Sequence, residues 1–336
     1  MATRVSMAMV AAHVGVSGQT VSRVVHGNPH VDPSTRRRVE QAMAELGYRP
    51  HRAARALRTG RSHTVGVVAA SLGTVGNFRM VQAVVESAAR HGYAVMVVTA
   101  ADEPSLAAAF DRLHEENVDG VIVLNEASAF VPETPRPTGL RIAVVDAEAS
   151  PLYSTVSSAH ADGARTATAH LLARGHTRVH HIAGPAESFA ARERERGWRE
   201  TLLAAGITPP EVVRAEWSAQ SAYDVAAQLG RATAVFCAND YLALGLIRAY
   251  AERGMRVPED VSVVGFDDVP EAANYLPPLT TVRQDFTALA EAAWTALGLP
   301  ATNDQKKTIE VSRGAHASIA TALVQRASTA ALTVSA

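Results

Sequence analysis

The chain has one cysteine, Cys237, among 336 residues, and no run of eighteen consecutive apolar residues. A single cysteine excludes an intrachain disulfide framework and a cysteine-based zinc cluster, and it fits a reducing cytoplasm. Cys237 lies in the apolar run 234–238, which predicts a buried strand. Since no apolar run follows a basic start either, we expect neither a membrane-spanning helix nor a signal peptide.

Motifs of the common α/β enzymes are missing as well. Residues 73–76 (Gly-Thr-Val-Gly) are followed by Arg79 instead of the third glycine of a dinucleotide-binding loop. The sequence contains neither a Gly-x-x-x-x-Gly-Lys-Ser/Thr phosphate loop nor a Gly-x-Ser-x-Gly nucleophile motif. His180 and His181 lie in a predicted strand without further metal ligands beside them. The sequence therefore predicts no enzyme, no cofactor and no metal site.

Charge is distributed unevenly along a chain whose formal net charge is only −1. Residues 1–62 contain ten arginines against three acidic residues, a net charge of +7, whereas the remainder carries 22 basic and 30 acidic residues. The ten are Arg4, Arg23, Arg36, Arg37, Arg38, Arg49, Arg52, Arg55, Arg58 and Arg61. A basic segment attached to an acidic body is typical of a module that binds a polyanion such as nucleic acid.

The basic segment is predicted to form short helices. Ser6 can cap a helix that runs to about residue 14, and Ser17 can cap a second helix that runs to about His26. The pair 32–33 (Asp-Pro) opens a third helix, whose apolar positions 39, 43 and 46 share one face. Three short helices with an apolar interior are the expected framework of a small all-α domain.

From residue 64 onwards, strands alternate with amphipathic helices. Strands are predicted at 65–70, 94–99, 120–124, 142–146, 179–183, 212–215, 234–238 and 261–265, and helices at 78–91, 104–116, 162–174, 191–205, 219–229, 241–253 and 286–297. This alternation favours parallel sheets covered by helices on both faces, and it is too long for one sheet. We therefore expect two similar lobes, followed by a frayed tail of small residues at 328–336.

Several motifs along the chain carry a resemblance to one known family. In the head they are Gly-Val-Ser-Gly-Gln-Thr-Val-Ser-Arg-Val-Val at 15–25, preceded by Val-Ala-Ala at 10–12, and Ala-Met-Ala-Glu-Leu-Gly-Tyr-Arg-Pro at 42–50. In the body they are the segment 163–184, Cys-Ala-Asn-Asp at 237–240, Val-Val-Gly-Phe-Asp-Asp at 263–268 and Pro-Pro-Leu-Thr-Thr-Val-Arg-Gln at 277–284. These motifs resemble those of the lactose-repressor (LacI/GalR) family of transcription regulators. The resemblance implies a homodimer that binds a near-palindromic operator and responds to a small effector, often a sugar.

The resemblance and the element pattern together predict an all-α helix-turn-helix head and an α/β body. The expected body has the two-lobed periplasmic-binding-protein-like fold with parallel sheets. The predicted domains are the helix-turn-helix domain at 1–50, a hinge helix or linker at 51–62, and an effector-binding and dimerisation domain at 63–327.

The second head helix is the predicted recognition helix, since a helix-turn-helix lays that helix in the major groove. The amide of Gln19 can bond to adenine and the guanidinium of Arg23 to guanine. Hydroxyl groups nearby suit phosphate contacts. The predicted DNA-binding residues are Ser6, Ser17, Gly18, Gln19, Thr20, Ser22, Arg23, His26, Ala54 and Leu57. The alternative for Gln19 and Arg23 is a solvated helix face.

Gly18, Ala8 and Met9 depart from the family prototype, which has larger polar or aromatic groups there, so the operator need not be the prototype's. By the resemblance, residues 51–58 match the family's hinge helix. Leu57 then matches a leucine that wedges into a minor-groove step, and Ala54 lets two hinge helices approach. The alternative is a plain linker.

Polar side chains stand where predicted strands end or helices begin, which is where open α/β sheets bind ligands. Asp146, Asn239 and Asp267 end or follow strands, and Arg194 lies at a helix start. Each alone is typical of a turn or cap, but by the resemblance they match effector-binding positions, and such groups bond paired sugar hydroxyls. Trp217 matches an aromatic that stacks on a sugar. The predicted effector site is Asp146, Arg194, Trp217, Asn239, Asp267, Gln284 and Phe286.

Two alternatives remain open at this point. A solute-binding protein for transport shares the body fold, but it would carry a signal peptide and no helix-turn-helix. The effector can release operator DNA or act as a corepressor. We expect a cytoplasmic dimer rather than a tetramer, because residues 328–336 show no leucine heptads. A galactoside is the first candidate effector.

Overall fold

The structure is a computed structural model that describes residues 5–25, 28, 30–48, 60–135, 137–299 and 314–332. The predicted DNA-binding residues His26, Ala54 and Leu57 lie outside the described residues. The chain divides into two compact units, one spanning 1–62 and the other 63–336. In the described parts, no helix is long and apolar enough to cross a membrane.

The head consists of three helices, α1 (Met7–Val14), α2 (Gly18–Val25) and α3 (Pro33–Leu46). The Ser6 hydroxyl accepts a hydrogen bond from the Met9 amide, and the Asp32 carboxylate caps α3. Valines from all three helices form the small core, including Val10, Val21 and Val39, each with no exposed surface. The predicted caps and apolar interior of the head are therefore confirmed.

The first lobe of the body begins with five strands and two helices. They are β1 (Thr64–Ala69), α4 (Val75–Arg90), β2 (Ala94–Thr99), α5 (Glu103–Glu115), β3 (Gly120–Leu124), β4 (Ile142–Val145) and β5 (Ser154–Ser158). The second lobe follows with α6 (His160–Leu172), β6 (His180–Ala183), α7 (Phe189–Ala204), β7 (Val213–Arg214), α8 (Ala219–Val225), β8 (Ala234–Cys237), α9 (Asp240–Glu252), β9 (Ser262–Asp267) and β10 (Thr280–Arg283). The chain ends with α10 (Phe286–Leu297), β11 (His316–Ile319) and β12 (Ala322–Val324).

Each lobe is built around one sheet, and the two sheets share one strand order. Among the described strands the orders are β11-β5-β4-β3-β1-β2 and β12-β10-β9-β8-β6-β7. All neighbours are parallel except β12, which runs antiparallel to β10. The predicted two-lobed body with parallel sheets is confirmed.

The chain passes between the lobes after β5, after β10 and between β11 and β12. The second passage returns α10 to the first lobe, where Leu289 and Trp294 join a core with Val65 and Ile122. Most predicted elements agree with the structure within a few residues. The strands β5, β10, β11 and β12 were not predicted, because their polar or short segments lack the apolar run that marked the others.

The prediction of a frayed tail is wrong for residues 328–332. Ser328 is fully buried: its hydroxyl donates to the Val263 carbonyl and accepts from the Thr280 amide, at 2.6 and 2.8 Å. The Leu332 amide donates to the Arg174 carbonyl at 2.8 Å. The small side chain of Ser328 bonds main chain inside the second lobe, so small size does not signal fraying.

Candidate functional sites

The head presents a polar face on α2. Val21 and Val24 are buried in the head core, whereas Gln19 and Arg23 are exposed on the opposite side of the helix. The Ser17 hydroxyl accepts a hydrogen bond from the Thr20 amide at 3.1 Å and lies 2.9 Å from the Thr20 hydroxyl. The first turn of α2 is thereby capped while its polar side chains stay at the surface.

The other predicted contacts of the head are also placed at its surface. Ser6 and Gly18 are exposed, and Ser22 is half-buried. Two arginines of the basic head serve its fold, since Arg36 donates to the Asn28 carbonyl and Arg38 to the Val14 carbonyl, each at 2.6 Å. Their positive charge remains part of the head while their guanidinium groups bond main-chain carbonyls at the end of α1 and ahead of α3.

A cavity lies in the body where strands of both sheets end. All seven residues of the predicted effector site line it: Asp146, Arg194, Trp217, Asn239, Asp267, Gln284 and Phe286. In the described residues, no group of three or more His, Cys, Asp or Glu side chains is arranged to hold a metal ion.

Arg194, in the second turn of α7, is a buried charge of the cavity, at 4% exposure. Its Nη2 lies 3.3 Å from Asp267 Oδ1, its Nε donates to His160 Nδ1 at 3.3 Å, and its Nη1 donates to the Ala238 carbonyl. The guanidinium also stacks on the Phe266 ring, 3.9 Å from the centroid. Because a guanidinium carries five N–H groups, these contacts leave N–H groups that can donate to a ligand, in a fixed orientation.

His160 connects the two walls of the cavity. Its Nδ1 accepts from Arg194 Nε at 3.3 Å, and its Nε2 lies 2.9 Å from Asp146 Oδ1 without hydrogen-bond geometry. Asp146 follows β4 of the first lobe, and Arg194 belongs to the second. Sequence reasoning missed His160, although it stands at the chain passage after β5.

In both carboxylates of the predicted site, those of Asp146 and Asp267, only the Oδ1 oxygen bonds other groups in the described part of the protein. Asp267 Oδ1 accepts from Gln284 Nε2 at 2.7 Å as well as pairing with Arg194. Burial raises the pKa of Asp267, and the charge of Arg194 opposes that shift. Burial also lowers the pKa of Arg194, opposed first by Asp267. Within the described residues, the Oδ2 atoms of Asp146 and Asp267 accept no hydrogen bond.

Positive φ angles occur at three residues that line the cavity: Asn125 at 48°, Asp146 at 55° and Asp267 at 108°. Side chains other than glycine rarely adopt this region, and such strain concentrates at binding sites. Asn and Asp tolerate it best among the non-glycine residues. The backbone thus turns sharply as three strands end, which directs these polar side chains into the cavity.

Two aromatic residues complete the predicted set. Trp217 covers Gly184 so closely that a Cβ on that glycine would overlap the indole ring. The buried indole N–H of Trp217 has no acceptor in the described residues. Phe286, at the start of α10, is 7% exposed. The cavity therefore combines aromatic surface with polar groups that have hydrogen bonds left to make.

Sequence reasoning missed several residues that line the cavity. They are Thr74, Val75, Gly76, Met80, Asn125, Glu126, Ser188, Phe189, Ala190 and Leu289. Thr74 and Ser188 cap α4 and α7, so they mark helix starts that face the cavity. Asn125 and Glu126 directly follow β3, and the reasoning that selected Asp146 could have selected them too.

Arg79 of α4 joins the first lobe to the second. Its Nη1 donates to the carbonyls of Asp267 and Asp268, at 3.4 and 3.1 Å. Its guanidinium lies 4.8 Å from the centroid of Phe286. The main chain that carries the buried Asp267 carboxylate is thereby held from the opposite lobe.

Two family descriptions match the chain. Residues 6–51 match the bacterial regulatory proteins of the lacI family, and residues 168–329 match the periplasmic binding protein-like domain. The lactose operon repressor of Escherichia coli (strain K12) is 37% identical over 293 residues, covering 84% of this chain and 81% of that protein. The transcriptional regulator CelR of Thermobifida fusca is 34% identical over 311 residues, covering 84% and 87%.

Solved structures of regulators from the same family are similar to this chain. The lac repressor dimer bound to operator and the anti-inducer ONPF matches with a TM-score of 0.84 and 33% identity, covering 98% of this chain and 100% of that chain. The CelR–cellobiose complex matches with a TM-score of 0.70 and 30% identity, covering 97% and 100%. A body of periplasmic-binding-protein type and a DNA-binding head define a transcription regulator, not an enzyme. The chain belongs to the lacI family of bacterial regulatory proteins.

Proposed function

We propose that this regulator is a cytoplasmic, homodimeric repressor that binds a near-palindromic operator and releases it when a carbohydrate occupies the body cavity. The observation that carries the effector assignment is the meeting of seven predicted residues in one cavity. A galactoside is the first candidate, because the lactose operon repressor is 37% identical. Other glycosides are the next candidates.

The chemistry of the cavity supports a polyhydroxylated ligand. Free acceptor oxygens on Asp146 and Asp267 lie beside a guanidinium with donors to spare, and such groups bond adjacent hydroxyls in pairs. The indole of Trp217 offers both an apolar face and an unpaired N–H. A sugar ring has hydroxyls at its edge and C–H groups on its faces, so it complements both features.

DNA recognition is assigned to α2. The exposed Gln19 and Arg23 can read base edges in the major groove, and Ser6, Ser17, Thr20 and Ser22 can bond phosphates. We assign the hinge role to residues 51–62, with Leu57 as the minor-groove wedge and Ala54 at the approach of two hinges. His26 and Gly18 complete the assigned DNA contacts.

Exposed apolar side chains on both lobes support a homodimer. Phe78 and Leu72 of the first lobe are 61% and 45% exposed, and Leu276 of the second is 90% exposed. Burying such groups against a second copy is favourable at roughly 25 cal/mol per Å² of apolar surface. Two heads carried by a dimer would match the two half-sites of a palindromic operator.

Selection of operator sequences from random duplexes, followed by gel shifts of the full chain with and without sugars, tests the proposal. We expect a palindromic site and its release by a galactoside or another glycoside. Gln19→Ala should relax discrimination at one base pair per half-site by about 1–3 kcal/mol. Leu57→Ala should weaken operator binding and bending by roughly a few kcal/mol while non-specific binding keeps its salt dependence.

Four results would contradict parts of this proposal. Failure to select any duplex sequence would reject DNA recognition, and no response to any sugar would reject a carbohydrate effector. Tighter operator binding with sugar would make the effector a corepressor. By linkage, operator would then tighten sugar binding by the same factor. Sedimentation of the same chain as a stable tetramer would reject the dimer.

A further inference from the structure

Asp267 and Asp268 form a strained turn at the end of β9. Their φ angles are 108° and 50°, a region that residues other than glycine rarely adopt. Asp267 lines the cavity, whereas the Asp268 carboxylate lies outside the cavity lining. Such a conformation persists only where the surrounding structure holds it, so the contacts of this turn determine where the Asp267 carboxylate lies.

Two arginines bind the Asp268 carboxylate. Arg326 Nη2 donates to Asp268 Oδ1 and Arg283 Nε donates to Asp268 Oδ2, each at 2.6 Å. The side chain of Arg326 is 18% exposed, against 58% for Arg283. Burial acts to raise the pKa of Asp268, but the hydrogen bonds from both arginines outweigh it and hold that pKa below its ordinary value. The carboxylate is therefore ionised and bound at both oxygens.

Arg326 also fixes this carboxylate relative to β10. Its Nη1 donates to the Leu279 carbonyl at 2.7 Å, and its main-chain amide donates to the Thr280 hydroxyl at 2.9 Å. Leu279 directly precedes β10, and Arg326 follows β12. Because a guanidinium holds its donors in a rigid fork, Arg326 orients Asp268 against the main chain of another strand.

Main-chain contacts complete the support of the turn. The Val269 amide donates to Oδ2 of the fully buried Asp240 at 2.8 Å, and Arg79 donates to the carbonyls of both aspartates of the turn. These bonds fix the position of the turn. The ion pairs of Asp268 fix the orientation of that residue, on which its positive φ angle depends.

We propose that Arg326, together with Arg283, is a positioning residue of the effector site: through the Asp268 carboxylate it holds the strained turn that directs Asp267 into the cavity. The proposal rests on the carbohydrate effector proposed above. Neither arginine belongs to the described cavity lining, so each acts on the ligand only through the turn. Arg326 has the larger effect, because it is the more buried of the two and also bonds the main chain ahead of β10.

Isothermal titration of the full-length chain with lactose, cellobiose, galactose and glucose tests this role. Asp268→Ala and Asp268→Gly both remove the ion pairs, but alanine keeps the strain at a φ of 50°, whereas glycine adopts that angle readily. Arg326→Gln and Arg283→Gln remove one arginine each. The matched control is Arg165→Gln, whose guanidinium lies 2.7 Å from Glu200 in the same lobe. Urea unfolding measures the stability of every variant.

We expect Asp268→Ala to bind the sugar that the wild type prefers about tenfold more weakly, because the turn relaxes out of its strained conformation. Asp268→Gly should lose less than about threefold, because glycine adopts the positive φ angle without the ion pairs. A role in stability alone would not make glycine the better residue for binding. Arg326→Gln should lose about fivefold, the exposed Arg283→Gln less than about twofold, and Arg165→Gln should bind like the wild type.

The possible failures are distinguishable. If the wild type binds none of the four sugars, the carbohydrate effector is rejected, and this role of Arg326 with it. If the wild type binds one of them but Asp268→Ala and Asp268→Gly have equal affinities, or glycine binds more weakly, the effector stands and the positioning role is wrong. The comparison at position 268 is decisive even where Arg326→Gln does not fold.

Discussion

The two lobes of the body share one strand order but are packed differently. In the second lobe a Cβ on Gly197 would overlap the Ala161 carbonyl, and one on Gly245 would overlap the Ala219 carbonyl. In the first lobe a Cβ on Gly66 would meet only side-chain atoms of Leu113, at 2.8 Å. Main chain cannot give way as a leucine side chain can, so the helix contacts at Gly197 and Gly245 tolerate far less adjustment than the contact at Gly66.

The buried polar groups follow the same division. Arg194, Asp240, Asp267 and His181 are all 5% exposed or less and belong to the second lobe. Burial raises the pKa of Asp240, and the nearby charge of Asp267 adds to that shift. The first lobe contributes carboxylates at the cavity surface and the buried amide of Asn77. The same strand order thus supports buried charges in the second lobe and polar groups at the cavity surface in the first lobe.

Arg194→Met should have the largest effect on stability, because it removes a buried charge of the second lobe. Removing one partner of a buried pair leaves Asp267 as an uncompensated charge, so the free energy of unfolding of the body should fall by about 3–5 kcal/mol. Effector-induced stabilisation should also disappear. Urea unfolding followed by tryptophan fluorescence, with and without sugar, measures both.

The control for this variant is Arg192→Met, which removes an exposed guanidinium 3.6 Å from Glu148. Exposed pairs contribute about 0–1 kcal/mol, so this variant should remain close to the wild type. Equal stability of Arg194→Met and Arg192→Met would show that the buried network does not hold the second lobe together.

Acid should destabilise the second lobe through His181, which stacks on Phe236 at 4.8 Å and bonds the Phe236 carbonyl. Burial lowers the pKa of His181 to about 4. Between its ordinary value near 6.5 and about 4, the unfolded chain therefore binds a proton that the folded chain does not. Stability is complete above that window and should fall by about 2 kcal/mol between pH 7 and pH 5 from this residue.

His181→Phe should retain the stacking and remove this part of the pH dependence, as measured by urea unfolding at several pH values. His114→Gln alters an exposed histidine of the first lobe and serves as the control. An unchanged slope in His181→Phe would assign the acid sensitivity to other groups, of which His170 is the first candidate because burial also lowers its pKa to about 4.

Arg79→Gln tests the contact between the two lobes and should have the smallest effect, a small loss of effector affinity. The variant removes donors to the Asp267 and Asp268 carbonyls, so the lobes become freer to separate and the effector must order them itself. Effector affinity should fall about threefold, which is less than about 1 kcal/mol. Arg90→Gln on the same helix, whose partner Glu291 is in the same lobe, should leave affinity unchanged in a titration. Equal affinities of the two variants would argue against the bridge.

Much of the fold was predictable because its signals are local. The caps Ser6 and Asp32 and the apolar strands at 120–124 and 234–237 depend on short stretches of sequence, and the structure has them. β5 (Ser154–Ser158) was missed because its buried serines bond neighbouring strands, and serine does not mark a strand. Ser328 was misread for the same reason, since its buried position depends on a hydrogen bond to a main-chain partner 65 positions away.

The candidate site shows the same limit. The sequence by itself determined the class of protein, the two-unit organisation and the residue types at strand ends, because motifs and periodicity are properties of adjacent residues. Only the tertiary structure brought Asp146 to His160 and Arg194, and placed Asn77 behind Asn125 and Glu126. Those contacts join residues tens of positions apart. Their existence depends on how distant elements pack, within the first lobe for Asn77 and between the lobes for His160, which no local pattern encodes.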